Sequence, residues 1–191
     1  LKPKILLRYA PDNMRKETSG SRLSPLTAFK INKLDNNNNY ETGLSSSIGL
    51  DYKIKNNETD FDFSIAQVIS EKENKKMASI TSLDEKLSDV VGSSKLTLNE
   101  NFNLNYNFAL DQNYKDLNYN DVGTNINFGP ANIDFNYLQE KKHVGDQNYF
   151  KTKIAENNKD EGIFSFETKR NLLTNSADYY NLGYEYLNDC L

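Results

Sequence analysis

The chain carries one cysteine, Cys190, and one histidine, His143. These two residues set the limit of its covalent and acid–base chemistry. A metal centre needs several ligands, and a single histidine does not make one. A hydrolase of the Ser-His type needs those groups held together on a rigid wall, whereas His143 stands in a polar stretch after Lys141 and Lys142. A solvated loop residue is the plain reading. Cys190 has no second cysteine in the chain, so a cross-link through its thiol would need a partner elsewhere; the alternative is a free thiol packed at the end of a strand. No catalytic residue, metal or cofactor is assigned.

The elements that would position any site are strands. Phe102, Leu104, Tyr106, Phe108 and Leu110 alternate with Asn103, Asn105, Asn107 and Ala109. Period-two alternation gives an extended chain one apolar and one polar face. Nine residues at about 3.3 Å each, tilted by about 40°, span roughly 23 Å, the height of the apolar band of a transmembrane barrel. The composition agrees. Hydrophobic residues make up 37 %, the mean hydropathy is -0.77, 28 residues are asparagine, and the aromatics, at 12 %, are all Tyr or Phe. Disorder predicts few aromatics, and a soluble α/β domain predicts more Leu, Val and Ala. A polar lumen, an aromatic exterior and polar loops account for the mixture. There is no apolar run long enough for a transmembrane helix, which leaves strand-spanning proteins open. A net charge of -4 with scattered basic residues gives no nucleic-acid footprint.

Similar stripes recur. Lys4–Tyr9 reads as a strand, 12–24 as a loop and 26–34 is ambiguous. Leu44, Ile48, Leu50, Tyr52 and Ile54 form one stripe; Phe61, Phe63 and Ile65 form the next. Residues 71–92, dense in charge, read as the longest loop, with Ser82 and Glu85 at capping-box spacing for a helical turn within 82–89. Strands follow at 95–98, 102–110 and 117–128, the last with a phase shift that places a bulge near Asp121, then from Ile133, over 149–155 and 163–169, and through Tyr180, Leu182, Tyr184 and Tyr186. The count is about nine strands, up to eleven with the N-terminal region. Connections at 56–57, 99–101, 129–132 and 156–162 alternate with those at 71–92, 113–116, 141–148 and 170–177, which assigns the first set to the periplasm and the second to the exterior. The fold class is all-β: an antiparallel transmembrane β-barrel segment, a curved open sheet by itself.

The stretch from Tyr179 to Leu191, YYNLGYEYLNDCL, resembles the YNL-YEY-NDCL segment near the end of the barrel in the LPS-assembly protein family LptD, most closely its alphaproteobacterial branch. Phe61–Ser70 (FDFSIAQVIS) is similar to the family's F-x-V-x-x-G-Q-I strand, with Ala66 where glycine is usual, and Ser165–Asn175 also fits. The resemblance spans the chain. It implies a non-enzymatic part of the outer-membrane translocon that inserts lipopolysaccharide into the outer leaflet. Implied partners are lipopolysaccharide, an LptE-type plug lipoprotein, outer-membrane lipid, and the periplasmic transport bridge through an N-terminal jellyroll. Residues 1–191 would then be part of one barrel domain, an internal piece lacking the jellyroll and the final strands, in the outer membrane of a Gram-negative cell.

The same resemblance makes Cys190 a disulfide candidate, since cysteines at the matching periplasmic turn bridge to the jellyroll. Lumen-facing candidates are Ser45, Ser47, Asp51, Asn103, Asn105, Asn107, Asn136 and Glu185; lipid-facing candidates are Phe102, Leu104, Tyr106, Phe108 and Leu110. Tyr119, Tyr137, Tyr184 and Tyr186 are expected in aromatic girdles or on the outward wall. Lys75, Lys76, Lys141 and Lys142 fall in exterior loops, as point charges for phosphates or for solubility. Two other readings remain at this point: a passive porin, and a soluble or secreted β-sandwich or adhesin. In a sandwich the Phe102–Leu110 stripe would pack against a second sheet.

Overall fold

Ten strands form one antiparallel meander in the computed structural model, which describes residues 1–34, 38–99, 101–141, 146–158 and 162–186. They are β1 (Lys2–Ala10), β2 (Gly43–Lys55), β3 (Thr59–Ser70), β4 (Val90–Leu98), β5 (Phe102–Leu110), β6 (Leu117–Phe128), β7 (Ala131–Glu140), β8 (Gln147–Asn158), β9 (Gly162–Asn171) and β10 (Ser176–Glu185). Each pairs with the next in sequence. Among the described residues β1 and β10 are edges that do not pair with each other, so the sheet is open. The described residues contain no α-helix, and the only helical turns are 3-10 turns at Thr27–Phe29 and Ser79–Thr81. Among the described residues no helix is long and apolar enough to cross a membrane, which has no bearing on strands.

Short polar turns hold one end of the sheet. The Asn56 side chain accepts the backbone N–H groups of Glu58 (3.0 Å) and Thr59 (2.7 Å), a local turn that asparagine makes readily. Asn99 and Gly129 take positive φ, 54° and 58°, in the next two turns of that end. Long connections gather at the other end, and the longest is 11–42, ahead of 71–89. The ranking expected from charge density was therefore wrong: β4 begins at Val90, so the charged loop is shorter than 71–92, and the N-terminal connection is longer than either. Residues 82–89 form no helical turn. Ser82 is left-handed (φ 56°), its hydroxyl accepts the Asp89 N–H (3.2 Å), and Leu87 bridges to Ile69.

The bulge in β6 lies at Asn118, not near Asp121. Leu110 pairs with Leu117 and Ala109 with Tyr119, so one residue of β6 is extra there. The inserted Asn118 is buried and its amide donates to Asp89 Oδ2 and Asp111 Oδ1, both at 3.0 Å. The bulge also reverses the expected side of Tyr119, as described below.

On the other face of β4 and β5, the ring of Phe108 lies over Gly92 and stacks on Tyr106 at 5.5 Å. A Cβ at Gly92 would meet that ring at 2.2 Å. Gly92→Val is expected to cost about 1–3 kcal/mol, the overpacking range. The Gly92→Val, Phe108→Ala double variant should lose less than the sum of the singles in denaturant midpoints, because the clash is then gone.

Candidate functional site

Strand register sorts the side chains onto two faces, because directly paired residues point the same way. Following the pairs across the sheet, Arg8 joins Ser45, Asp51 joins Ser64, Ser93 joins Asn107, and Asn107 joins Asp121. The series continues from Asn105 through Gly123 to Asn136, Lys151 and Lys169. Glu185, opposite Ile163, ends it. All eight residues expected on a polar side (Ser45, Ser47, Asp51, Asn103, Asn105, Asn107, Asn136 and Glu185) therefore share one face. Phe102, Leu104, Tyr106, Phe108 and Leu110 share the other, with Ile48, Phe61, Ile126, Phe135, Ile154, Phe164 and Leu182.

The polar face is laced across strands. Lys4 meets Asp51 at 2.6 Å and Ser64 donates to Asp51 at 2.9 Å. Lys53 pairs with Asp62 at 2.9 Å, Asp121 accepts the amides of Asn107 (3.2 Å) and Asn136 (3.0 Å), and Glu167 takes Lys151 at 3.0 Å and the Tyr179 hydroxyl at 2.5 Å. Exposed pairs of this kind add little stability each. Their effect is to give one face a dense, hydrated row of donors and acceptors of both charge signs.

The apolar face has the opposite character. Ile48, Ile54, Phe135, Ile154 and Phe164 stay about 40 % exposed even in the interior of the sheet. The buried hydrophobic cluster contains none of this face: Ala66, Val68, Val91 and Ala109 all belong to the polar side. Among the described residues the single sheet has no second layer on its apolar face, which does not favour sandwich packing, and so extensive an exposed apolar surface marks contact with lipid or protein.

Near the long connections the polar face itself turns apolar, through Ala66, Val68, Val91, Ala109 and Leu138. Segments 11–34 and 71–89 cover this patch, supplying Met14, Leu23, Ala28, Met77 and Leu83 to the cluster. Gly49 lets the Phe29 ring approach, since a Cβ there would lie 2.9 Å from it, and Ser47 Oγ donates to the Ala28 carbonyl at 2.6 Å. Glu41 anchors the return of the chain, with Lys33 Nζ at 2.7 Å and Arg8 Nη1 at 3.2 Å from the same oxygen; the Lys33 side chain is fully buried. Farther across, Arg22 reaches β7, where it pairs with Glu140 and sits 4.6 Å over the Tyr119 ring. Tyr119 thus belongs to the polar face beneath this cover, not to an outward girdle. Tyr137, Tyr180 and Tyr184 do lie on the apolar face.

Residues that sequence reasoning missed are those of the cover: Arg8, Arg22, Lys33, Glu41 and Glu140. One signal was available. The polar run Asn103, Asn105, Asn107 ends in Ala109, and a small apolar residue on a polar face implies something packed over it. Among the remaining expectations, Lys75 pairs with Glu73 at 3.3 Å, while His143, Lys142 and Cys190 lie outside the described residues. Among the described residues no three of His, Cys, Asp and Glu come together to hold a metal ion.

A two-faced meander of this kind is compatible with many strand-spanning proteins, and comparison with known families decides between them. The family model of LptD, LPS transport system D, matches residues 1–186. The chain belongs to the LptD family. Its role is accordingly in lipopolysaccharide transport to the outer membrane, and neither the porin nor the sandwich is favoured. LptD is a transport family whose substrate is lipopolysaccharide and whose members are outer-membrane proteins. No curated protein matches the chain.

Proposed function

We propose that the ten strands form part of the wall of an outer-membrane barrel that inserts lipopolysaccharide into the outer leaflet. Ser45, Ser47, Asp51, Asn103, Asn105, Asn107, Asn136 and Glu185 line a wet lumen, and Phe102, Leu104, Tyr106, Phe108 and Leu110 meet lipid. The observation that carries this reading is the segregation of faces over the whole sheet, with the apolar one left uncovered. A sugar-phosphate headgroup is too costly to bury in hydrocarbon, so it travels along the polar face while the acyl chains stay in the bilayer. Bare edges at β1 and β10 would be unsatisfied in lipid, which supports closure of the wall by further strands.

In this reading the short turns face the periplasm and the 11–42 and 71–89 segments face the exterior. Cys190 bridges to a cysteine of a periplasmic jellyroll, an LptE-type lipoprotein plugs the lumen, and the transport bridge delivers its cargo from below; the family branch is alphaproteobacterial. A photoreactive residue at Asn103, in the complete complex in living cells, should capture lipopolysaccharide. Absence of capture at Asn103 would remove the conduit reading. For the disulfide, reduction should shift the gel migration of the wild type but not of Cys190→Ser.

A further inference from the structure

Beneath the cover lies a cavity of about 500 Å³ between segment 21–25 and β4–β8. Leu23, Ile80 and Leu138 form apolar walls, while Arg22, Tyr119 and Glu140 supply polar atoms. Arg22 and Glu140 pair through one atom each. The other two, Arg22 Nη1 and Glu140 Oε1, are buried and without a hydrogen-bond partner, and Glu140 is 95 % buried by its 5 % exposure. Buried polar atoms that the protein itself does not pair are costly, and a polar ligand that reaches them removes that cost.

Nη1 can only donate and Oε1 can only accept. A ligand that satisfies both must offer an acceptor to one and a donor to the other, which a hydroxyl, or a pair of neighbouring hydroxyls, can do. A phosphate answers the guanidinium but is repelled by the carboxylate, and an ammonium fails for the opposite reason. Neighbouring hydroxyls of an uncharged sugar ring satisfy both, and the C–H edges of the ring suit Leu23 and Leu138. From this geometry we infer that the cavity is a saccharide subsite, in which Arg22 and Glu140 grip adjacent hydroxyls of one neutral sugar unit under the 11–34 segment. The inference rests on the conduit reading, and supplies it with a holding point for oligosaccharide near the long-connection end.

The test uses the complete complex with a photoreactive residue at Gln147, which lines the cavity, or at Asn103, which does not. Both positions should capture lipopolysaccharide. Excess dephosphorylated oligosaccharide, freed of its lipid, should reduce capture at Gln147 at least tenfold, and inorganic phosphate should leave it unchanged. Glu140→Gln retains an acceptor and should keep capture at Gln147, whereas Glu140→Leu should lose it with capture at Asn103 intact. Capture at Asn103 alone, or competition by phosphate instead of oligosaccharide, overturns the subsite and leaves the conduit standing. Capture at neither position overturns both. The competition arm needs no cavity variant, so it decides even if Glu140→Leu fails to fold.

Discussion

Tyr106→Arg is expected to destabilise the membrane-embedded sheet by about 2–4 kcal/mol, the cost of a basic side chain on the lipid face near the bilayer midplane. Tyr106 is the middle residue of β5, opposite Ser94 on one side and Val122 on the other, four residues from either strand end. Its neighbour Asn105 points to the polar face between Lys95 and Gly123. Asn105→Arg should therefore change stability by no more than about 0.5–1 kcal/mol, as surface substitutions do. Urea midpoints of the protein refolded into bilayers measure both. Equal effects at the two positions would mean that the faces do not separate lipid from water.

Val91→Asp should have an effect of similar size by a different route. Val91 is 1 % exposed, in the buried cluster between Ala66 and Ala109. Its paired neighbours Ala66 and Ala109 offer a carboxylate no partner, and an unpaired buried charge costs on the order of 3–5 kcal/mol. The strand ladder does not depend on that side chain, so the loss falls on the cover. Segments 11–34 and 71–89 should detach, and trypsin should cut after Arg15 and Lys16 while the strands survive. Ser93→Asp, on the same face of the same strand but outside the cluster, should leave the cleavage rate unchanged. Unaltered protection in Val91→Asp would show that the cover is held elsewhere, chiefly by Glu41 with Lys33 and Arg8.

Legibility of the fold followed the purity of the alternation. The strand Phe102–Leu110 has the same bounds in sequence and structure because every outward residue is large and apolar. β4 was legible only from Lys95, since its outward residues Gly92 and Ser94 break the stripe while the inward Val91 is apolar. In β6 the outward Asn120 and Thr124 blurred the phase change, which displaced the expected bulge and turned Tyr119 to the wrong side. The cover had no period to read at all. One of its contacts, Arg22 with Glu140, joins residues 118 positions apart, and its packing depends on close approach at Gly49 rather than on a repeating pattern. For the same reason the polar candidates of the wall were legible and the Arg22–Glu140 cavity was not.

The central claim is that one face meets lipid and the other meets water. Spin labels placed one at a time at positions 103 to 108, in a Cys190→Ser background in bilayers, test it directly by power saturation. Oxygen, which concentrates in hydrocarbon, should relax labels at 104, 106 and 108, and a water-soluble nickel chelate those at 103, 105 and 107. Loss of this alternation, or nickel access at 104 and 106 equal to that at 105, would contradict the account.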